Sequence, residues 1–298
     1  FHSPASLVLH RPKAIIRHSP SSAPVPPSTH MKLRTLLLAA LCAFASAASA
    51  QDWAKPRLEK TTRHYEYVKV MNGTREVTAF ITYPEVKTKA TALVLLHDNQ
   101  GLTDWARGMT DQGAEAGYIT IAPDLLSGMG PKGGGTADFG GDRDAVSKGF
   151  AALGQKPDQI TSDLDAIVAY VAKLPACNGK VVVGGFCWGG TQTFRFATNN
   201  QNIKAAFVFY GSPPNDEDLA KITSPVFGFY GSNDARINTT IPKTIELMKT
   251  AGKKFDPVTY EGAGHGFMKS GEDPAGSPEN KKAREGAWIR LKAILAKL

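Results

Sequence analysis

Five short apolar runs dominate the pattern of this chain: "ATALVLLH" (90–97), "YITIAPDL" (118–125), "KVVVGGF" (180–186), "AAFVFYG" (205–211) and "SPVFGFYG" (224–231). They are continuous rather than alternating, so each would bury both of its faces. That is the condition of a parallel sheet covered by helices on either side. Helical patterns lie between them, such as "ITSDLDAIVAYVAKL" (160–174), with Ser162 expected as its cap, and "NKKAREGAWIRLKAILAKL" (280–298) closes the chain. Two earlier segments, "HYEYVKV" (64–70) and "EVTAFITY" (76–83), alternate apolar and polar residues, as an antiparallel hairpin with one wet face does. The expected fold class is α/β: a three-layer sandwich with a mostly parallel sheet and helices on both faces.

Residues 51–298 read as a single domain, because no Pro/Ser linker or internal repeat divides them. The stretch "MKLRTLLLAALCAFASAASA" (31–50) has the positive start, apolar core and small-residue end of a secretory signal. Its core falls short of the roughly 20 apolar residues that span a bilayer, so cleavage after Ala50 is expected rather than a membrane anchor. Bulky Leu41 before Cys42 speaks against a lipoprotein signal. The mature protein is therefore expected to be exported, periplasmic or secreted, and monomeric. Residues 1–30, rich in Pro, Ser and His, are expected to be either an extension upstream of a start at Met31 or a disordered segment. The first 50 residues carry five Lys/Arg and no acid, so without them the formal net charge falls from +8 to +3. That balance points away from nucleic acid and from anionic membranes as partners. Asn72-Gly73-Thr74 and Asn238-Thr239-Thr240 fit the N-glycosylation pattern.

With Cys42 removed, Cys177 and Cys187 remain. A strand between them separates their Cα atoms by roughly 20 Å, whereas a disulfide needs about 7 Å or less. Cys177 is expected as apolar filler and Cys187 as a free thiol at the opposite sheet edge. "GFCWG" between a strand and a helix has the G-x-S-x-G elbow pattern with Cys in place of Ser. The helix N-terminus beneath such a turn favours a thiolate or an oxyanion. The plain alternative is a tight glycine turn holding an inert cysteine. His265, in the glycine-bounded loop "EGAGHGFM" (261–268), is the candidate base, and Asp234, in "FGFYGSNDARI" (227–237), is the candidate orienter unless it is only a helix cap. His97, at the end of a buried run, reads as a satisfied core histidine.

In order along the chain, "LLHDNQGL" (95–102), "APDLLSG" (122–128), "GFCWGG", "YGSND" and "GAGHGF" resemble the dienelactone hydrolase family, a cysteine branch of the α/β-hydrolases, from about residue 58 to the end. The resemblance implies an α/β-hydrolase fold and hydrolysis of a small lactone or carboxylic ester, with no metal or organic cofactor. It implies Cys187 as nucleophile, His265 as proton shuttle and Asp234 as its orienter, with the backbone N–H groups of Trp188 and Asn99 as oxyanion hole. Asp98 stands where the family has a glutamate that contacts the resting thiol. The alternative for Asp98 is a loop-capping carboxylate. Lys269 stands where the family has an arginine for a substrate carboxylate, and Arg143 is a second candidate cation unless it is a solvated helix residue. Trp188 and Phe267 are candidate walls for the acyl group, whereas Trp105 reads more readily as packing. Two other readings stay open: a hydrolase-fold thiol sensor without catalysis, and an esterase or peptidase acting on larger substrates.

Overall fold

The computed structural model describes residues 53–298; the expected signal segment and upstream extension lie outside the described residues. Eight strands form one sheet: β1 (Tyr65–Asn72), β2 (Arg75–Thr82), β3 (Ala90–Leu96), β4 (Ile119–Pro123), β5 (Cys177–Phe186), β6 (Ala206–Phe209), β7 (Val226–Gly231) and β8 (Phe255–Tyr260). Their order across the sheet is β1-β2-β4-β3-β5-β6-β7-β8. β1 and β2 are the expected antiparallel hairpin, and β2 joins β4 antiparallel. From β4 to β8 every pairing is parallel.

The continuous apolar runs are explained by where their side chains go. Along β3, Ala92, Val94 and Leu96 enter one core while Leu93 and Leu95 enter the other. β5 divides in the same way, Val181 and Val183 against Val182 and Phe186. Period-2 alternation thus feeds two cores, which is why these runs are apolar at consecutive positions. The first core is closed by the helices Arg143–Gly154, Pro157–Ala172 and Trp188–Asn199, the second by Asp104–Glu115 and Pro278–Leu295. The fold is the three-layer α/β sandwich expected.

Two local expectations are corrected. Ser162 lies inside the helix Pro157–Ala172 rather than at its start, because Pro157 occupies the first turn, where its fixed φ and missing N–H suit a helix beginning. The Ser162 hydroxyl donates back to the Gln159 carbonyl instead. β5 begins at Cys177, which pairs with Ala90 across a register irregularity, so Cys177 is the first residue of the strand instead of preceding it. The two cysteines still sit at opposite ends of β5, and both are free thiols.

Candidate active site

Three strand ends meet at the carboxyl edge of the sheet. β5 runs into Cys187, which begins the helix Trp188–Asn199 with φ +56° and ψ −113°. A residue bearing a side chain is strained in that backbone region. It is held there because the Cys187 N–H donates to the Phe209 carbonyl at 3.0 Å and its own carbonyl accepts from the Thr191 N–H at 3.0 Å. A Cβ at Gly185 would collide with the Gly189 carbonyl and the Thr193 hydroxyl, and one at Gly189 with the carbonyls of Leu96 and His97. The elbow glycines therefore answer a close approach of backbones, which also presses the end of β3 against the nucleophile turn.

His265 follows β8 and reaches back over that turn. Its Nε2 lies 3.0 Å from Cys187 Sγ, and its Nδ1 lies 2.5 Å from Asp234 Oδ2. Asp234 follows β7 at the start of the short helix Ala235–Asn238, yet its side chain makes no capping bond. Its carboxylate is buried and faces the imidazole, so the capping alternative does not describe it. The bond to Cys187 raises the His265 pKa, partial burial opposes that rise, and the bond to Asp234 adds to it, bringing the imidazole to about 8.

Trp188 is the first helical residue, so its N–H has no acceptor within the helix. Asn99 lies in the turn after β3, closed by the Gly101 N–H to the Asp98 carbonyl at 3.2 Å. Asp98 is buried; its Oδ1 accepts from the Gln100 N–H at 2.9 Å and its Oδ2 pairs with Lys269 Nζ at 2.9 Å. It makes the loop-capping contact, and its second oxygen is taken by a lysine rather than by the thiol. Lys269 also donates to Gln100 Oε1 at 2.8 Å and lies 5.3 Å over the Trp105 ring.

The other expected substrate contacts divide. Trp188 is half-buried, stacked on His97 at 5.9 Å and against Phe150 at 4.7 Å. Phe267 is fully buried against Tyr210 and Tyr260, so it packs beneath the histidine loop and offers no face to a substrate. Arg143 is the exposed first residue of a helix capped by Asp142, and its side chain forms no hydrogen bond or ion pair with another described residue, as at a solvated helix position. Trp105 is buried, donating its indole N–H to Glu272 at 3.1 Å. His97 accepts the Leu125 N–H at Nε2 (3.3 Å), which puts the ring proton on Nδ1, 2.8 Å from the Asp98 carbonyl. It is the satisfied core histidine expected. Both glycosylation-pattern asparagines use their amides within the fold, Asn72 on Ser162 and Asp163, and Asn238 on the carbonyls of Gly231 and Ser232.

Sequence reasoning missed Gln100, the second acceptor of Lys269, and Tyr210, whose ring stands 5.1 Å from that of His265. It also missed Glu272, which joins Trp105, Gln112 and Arg284 beside the site. Among the described residues, no group of three or more His, Cys, Asp or Glu side chains is placed to hold a metal ion, and no helix is long and apolar enough to cross a membrane.

The family model for the dienelactone hydrolase family matches residues 77–298. This chain belongs to the dienelactone hydrolase family. A Methylorubrum extorquens protein provisionally named a carboxymethylenebutenolidase is 34% identical over 191 residues, 60% of this chain and 62% of that protein. The matched stretch thus spans under two thirds of that relative. A mouse protein named carboxymethylenebutenolidase homolog is 27% identical over 72% of this chain and 86% of its own length. Among solved structures, one from Klebsiella pneumoniae, provisionally named a dienelactone hydrolase, superposes with a TM-score of 0.68 at 22% identity, covering 80% of this chain and all of that one. An acylaminoacyl peptidase of Pyrococcus horikoshii shares the fold at a TM-score of 0.59 and 15% identity, over 78% of this chain and 42% of that one.

Proposed function

We propose that this family member hydrolyses a small lactone or carboxylic ester through a thioester on Cys187. The observation that carries the reading is the continuous relay from Asp234 Oδ2 to His265 Nδ1 (2.5 Å) and from His265 Nε2 to Cys187 Sγ (3.0 Å). A thiol sensor has no need of that carboxylate behind its histidine.

In this mechanism Sγ attacks the carbonyl carbon while its proton passes to, or already rests on, His265 Nε2. The carbonyl oxygen gains charge as the bond forms, and the N–H groups of Trp188 and Asn99 supply donors for it. The tetrahedral species collapses when His265 returns the proton to the leaving alkoxide or enolate. Asp234 keeps Nδ1 protonated and steadies the imidazolium throughout. Water then enters, gives a proton to Nε2 and attacks the thioester; collapse releases the acid and restores the thiol–imidazole pair. An imidazole raised to about 8 is a stronger base for the thiol proton than a free imidazole, which suits it to draw that proton as Sγ attacks.

Lys269 would meet a substrate carboxylate only in competition with Asp98, and as a point charge rather than a bidentate fork. Asp98, lacking a direct bond to Sγ, acts on the thiol through its charge. The test is a panel of enol-lactones and p-nitrophenyl esters with wild type and Cys187→Ala: a loss of roughly 10³-fold or more in the variant supports the reading, and turnover near the wild-type rate ends it. We also infer, from residues 31–50, that the mature protein is exported and starts at Gln51. Mass spectrometry of native exported protein carrying residues 1–50 intact would overturn that.

A further inference from the structure

Among the described residues, two that are not glycine have a positive φ: Cys187 at +56° and Tyr210 at +40°. The strain at Cys187 is that of the elbow. Tyr210 is a bulky residue in the same unfavourable region, and the relay above gives it no task.

Its backbone belongs to the elbow. The preceding Phe209 carbonyl accepts the Cys187 N–H at 3.0 Å, and Tyr210 N–H donates to the Phe229 carbonyl at 2.8 Å. Gly211 lies so close to Gly190 that a Cβ would collide with it. The Ser212 N–H donates to the Thr191 hydroxyl at 2.9 Å, and that hydroxyl donates to the Cys187 carbonyl at 3.4 Å. Residues 209–212 are thus bonded to the nucleophile turn through their main chain. The Tyr210 side chain belongs to the other partner. Its ring meets His265 edge-on at 5.1 Å and Phe267 at 5.3 Å, and its hydroxyl is turned toward the backbone of Met268.

We propose that Tyr210 is a positioning residue, a strut between the elbow and the loop 265–268 that sets the 3.0 Å contact of His265 Nε2 with Cys187 Sγ. The left-handed backbone at Tyr210 turns the ring out of the sheet and onto the histidine loop. The proposal rests on the reading of Cys187 and His265 as nucleophile and base. The charged and titratable groups around the phenol are His265, Asp98, Cys187 and Arg284, and those around the imidazole are Tyr210, Cys187 and Asp234. Asp98 is paired with Lys269, and Arg284 with Glu272. Burial holds the phenol protonated, so the strut itself does not titrate near neutrality. Loosening it would lengthen the Cys187–His265 contact and weaken the hydrogen bond that raises the imidazole, so the base would draw the thiol proton less readily.

The experiment compares wild type, Tyr210→Phe and Tyr210→Asn in the full chain. Phenylalanine keeps the ring and loses the hydroxyl that is turned toward Met268; asparagine suits the left-handed backbone and loses ring and hydroxyl together. Cys187 alkylation by iodoacetamide is followed between about pH 5 and 9, across the thiol and imidazole range, with kcat and KM on a p-nitrophenyl ester and a thermal melt. Tyr210→Phe is expected to lower kcat about tenfold with little change in KM, the scale of one lost polar contact. Its alkylation profile should move to higher pH, and that of Tyr210→Asn should move further. Profiles superimposable on wild type in whichever variant folds, with or without a lower melting temperature, would overturn the proposal and leave Tyr210 as packing. The underlying reading fails separately: turnover near the wild-type rate in Cys187→Ala would sink it whatever the Tyr210 profiles show.

Discussion

One strand carries two thiols with opposite chemistry. Cys177 begins β5 and Cys187 follows its end, roughly 30 Å away for a strand of this length. Cys177 is 4% exposed; its sulfur accepts the Gly179 N–H at 3.4 Å and faces the Lys180 carbonyl at 3.9 Å, both neutral backbone groups. Cys187 sits in a strained left-handed turn at a helix start, with an imidazole at 3.0 Å and a carboxylate behind it. The residue type is the same, so reactivity comes from the sheet edge. Strand ends at the carboxyl side bring helix N-termini and loops together, and the amino side brings only packing.

That contrast can be broken by exchanging the fates of the two residues. Cys187→Ala should lower ester turnover by roughly 10³-fold or more, as loss of a nucleophile that acts as a unit with its base does. Cys177→Ala should leave kcat/KM unchanged and cost about 1 kcal/mol of stability, the worth of a small buried apolar group, measured by urea unfolding. Equal losses of turnover would mean that β5 matters only as scaffold.

His265→Ala should reduce turnover by about 10² to 10⁴-fold while the protein stays folded. The wild-type imidazole is raised from 6.5 to about 8, so the stability it contributes is fully present below pH 6.5 and is lost as pH rises through 8. The gap in melting temperature between wild type and His265→Ala should therefore narrow over that window. A gap that widened with pH would reverse the sign of the thiol–imidazole coupling.

A smaller effect should separate the thiols without any substrate. Iodoacetamide should label Cys187 well before Cys177, and peptide mapping with time reads both. Asp98→Asn sharpens the same measurement: a nearby anion raises a thiol pKa, so its removal should move the alkylation profile of Cys187 to lower pH. Unchanged profiles would leave Asp98 as the cap of Gln100 and the partner of Lys269.

What was legible in the chain follows from range. The apolar runs were readable because both faces of each strand are buried, and the elbow because three backbones approach too closely for any side chain at Gly185 or Gly189. Asp234 and His265 were readable as polar residues set just after strand ends. The pairing of Lys269 with Asp98, 171 positions apart, is a matter of tertiary packing that no local pattern records. The burial of Phe267 and the φ of Tyr210 are hidden for the same reason, since an aromatic at a strand end or beside a loop histidine has no mark of which way it turns. Cys177 was misplaced by a few residues because a left-handed Gly179 interrupts the apolar alternation while the strand continues through it.

The central claim is that the relay at the carboxyl edge works through a thioester on Cys187. Rapid mixing with a p-nitrophenyl ester under mildly acidic conditions, quenched and followed by intact mass and peptide mapping, tests it directly. The expected result is an acyl adduct on the peptide containing Cys187, formed with the burst of nitrophenol and decaying at the turnover rate. It should be absent from Cys187→Ala. Full turnover with no adduct at any time, or an adduct confined to another residue, would contradict the account.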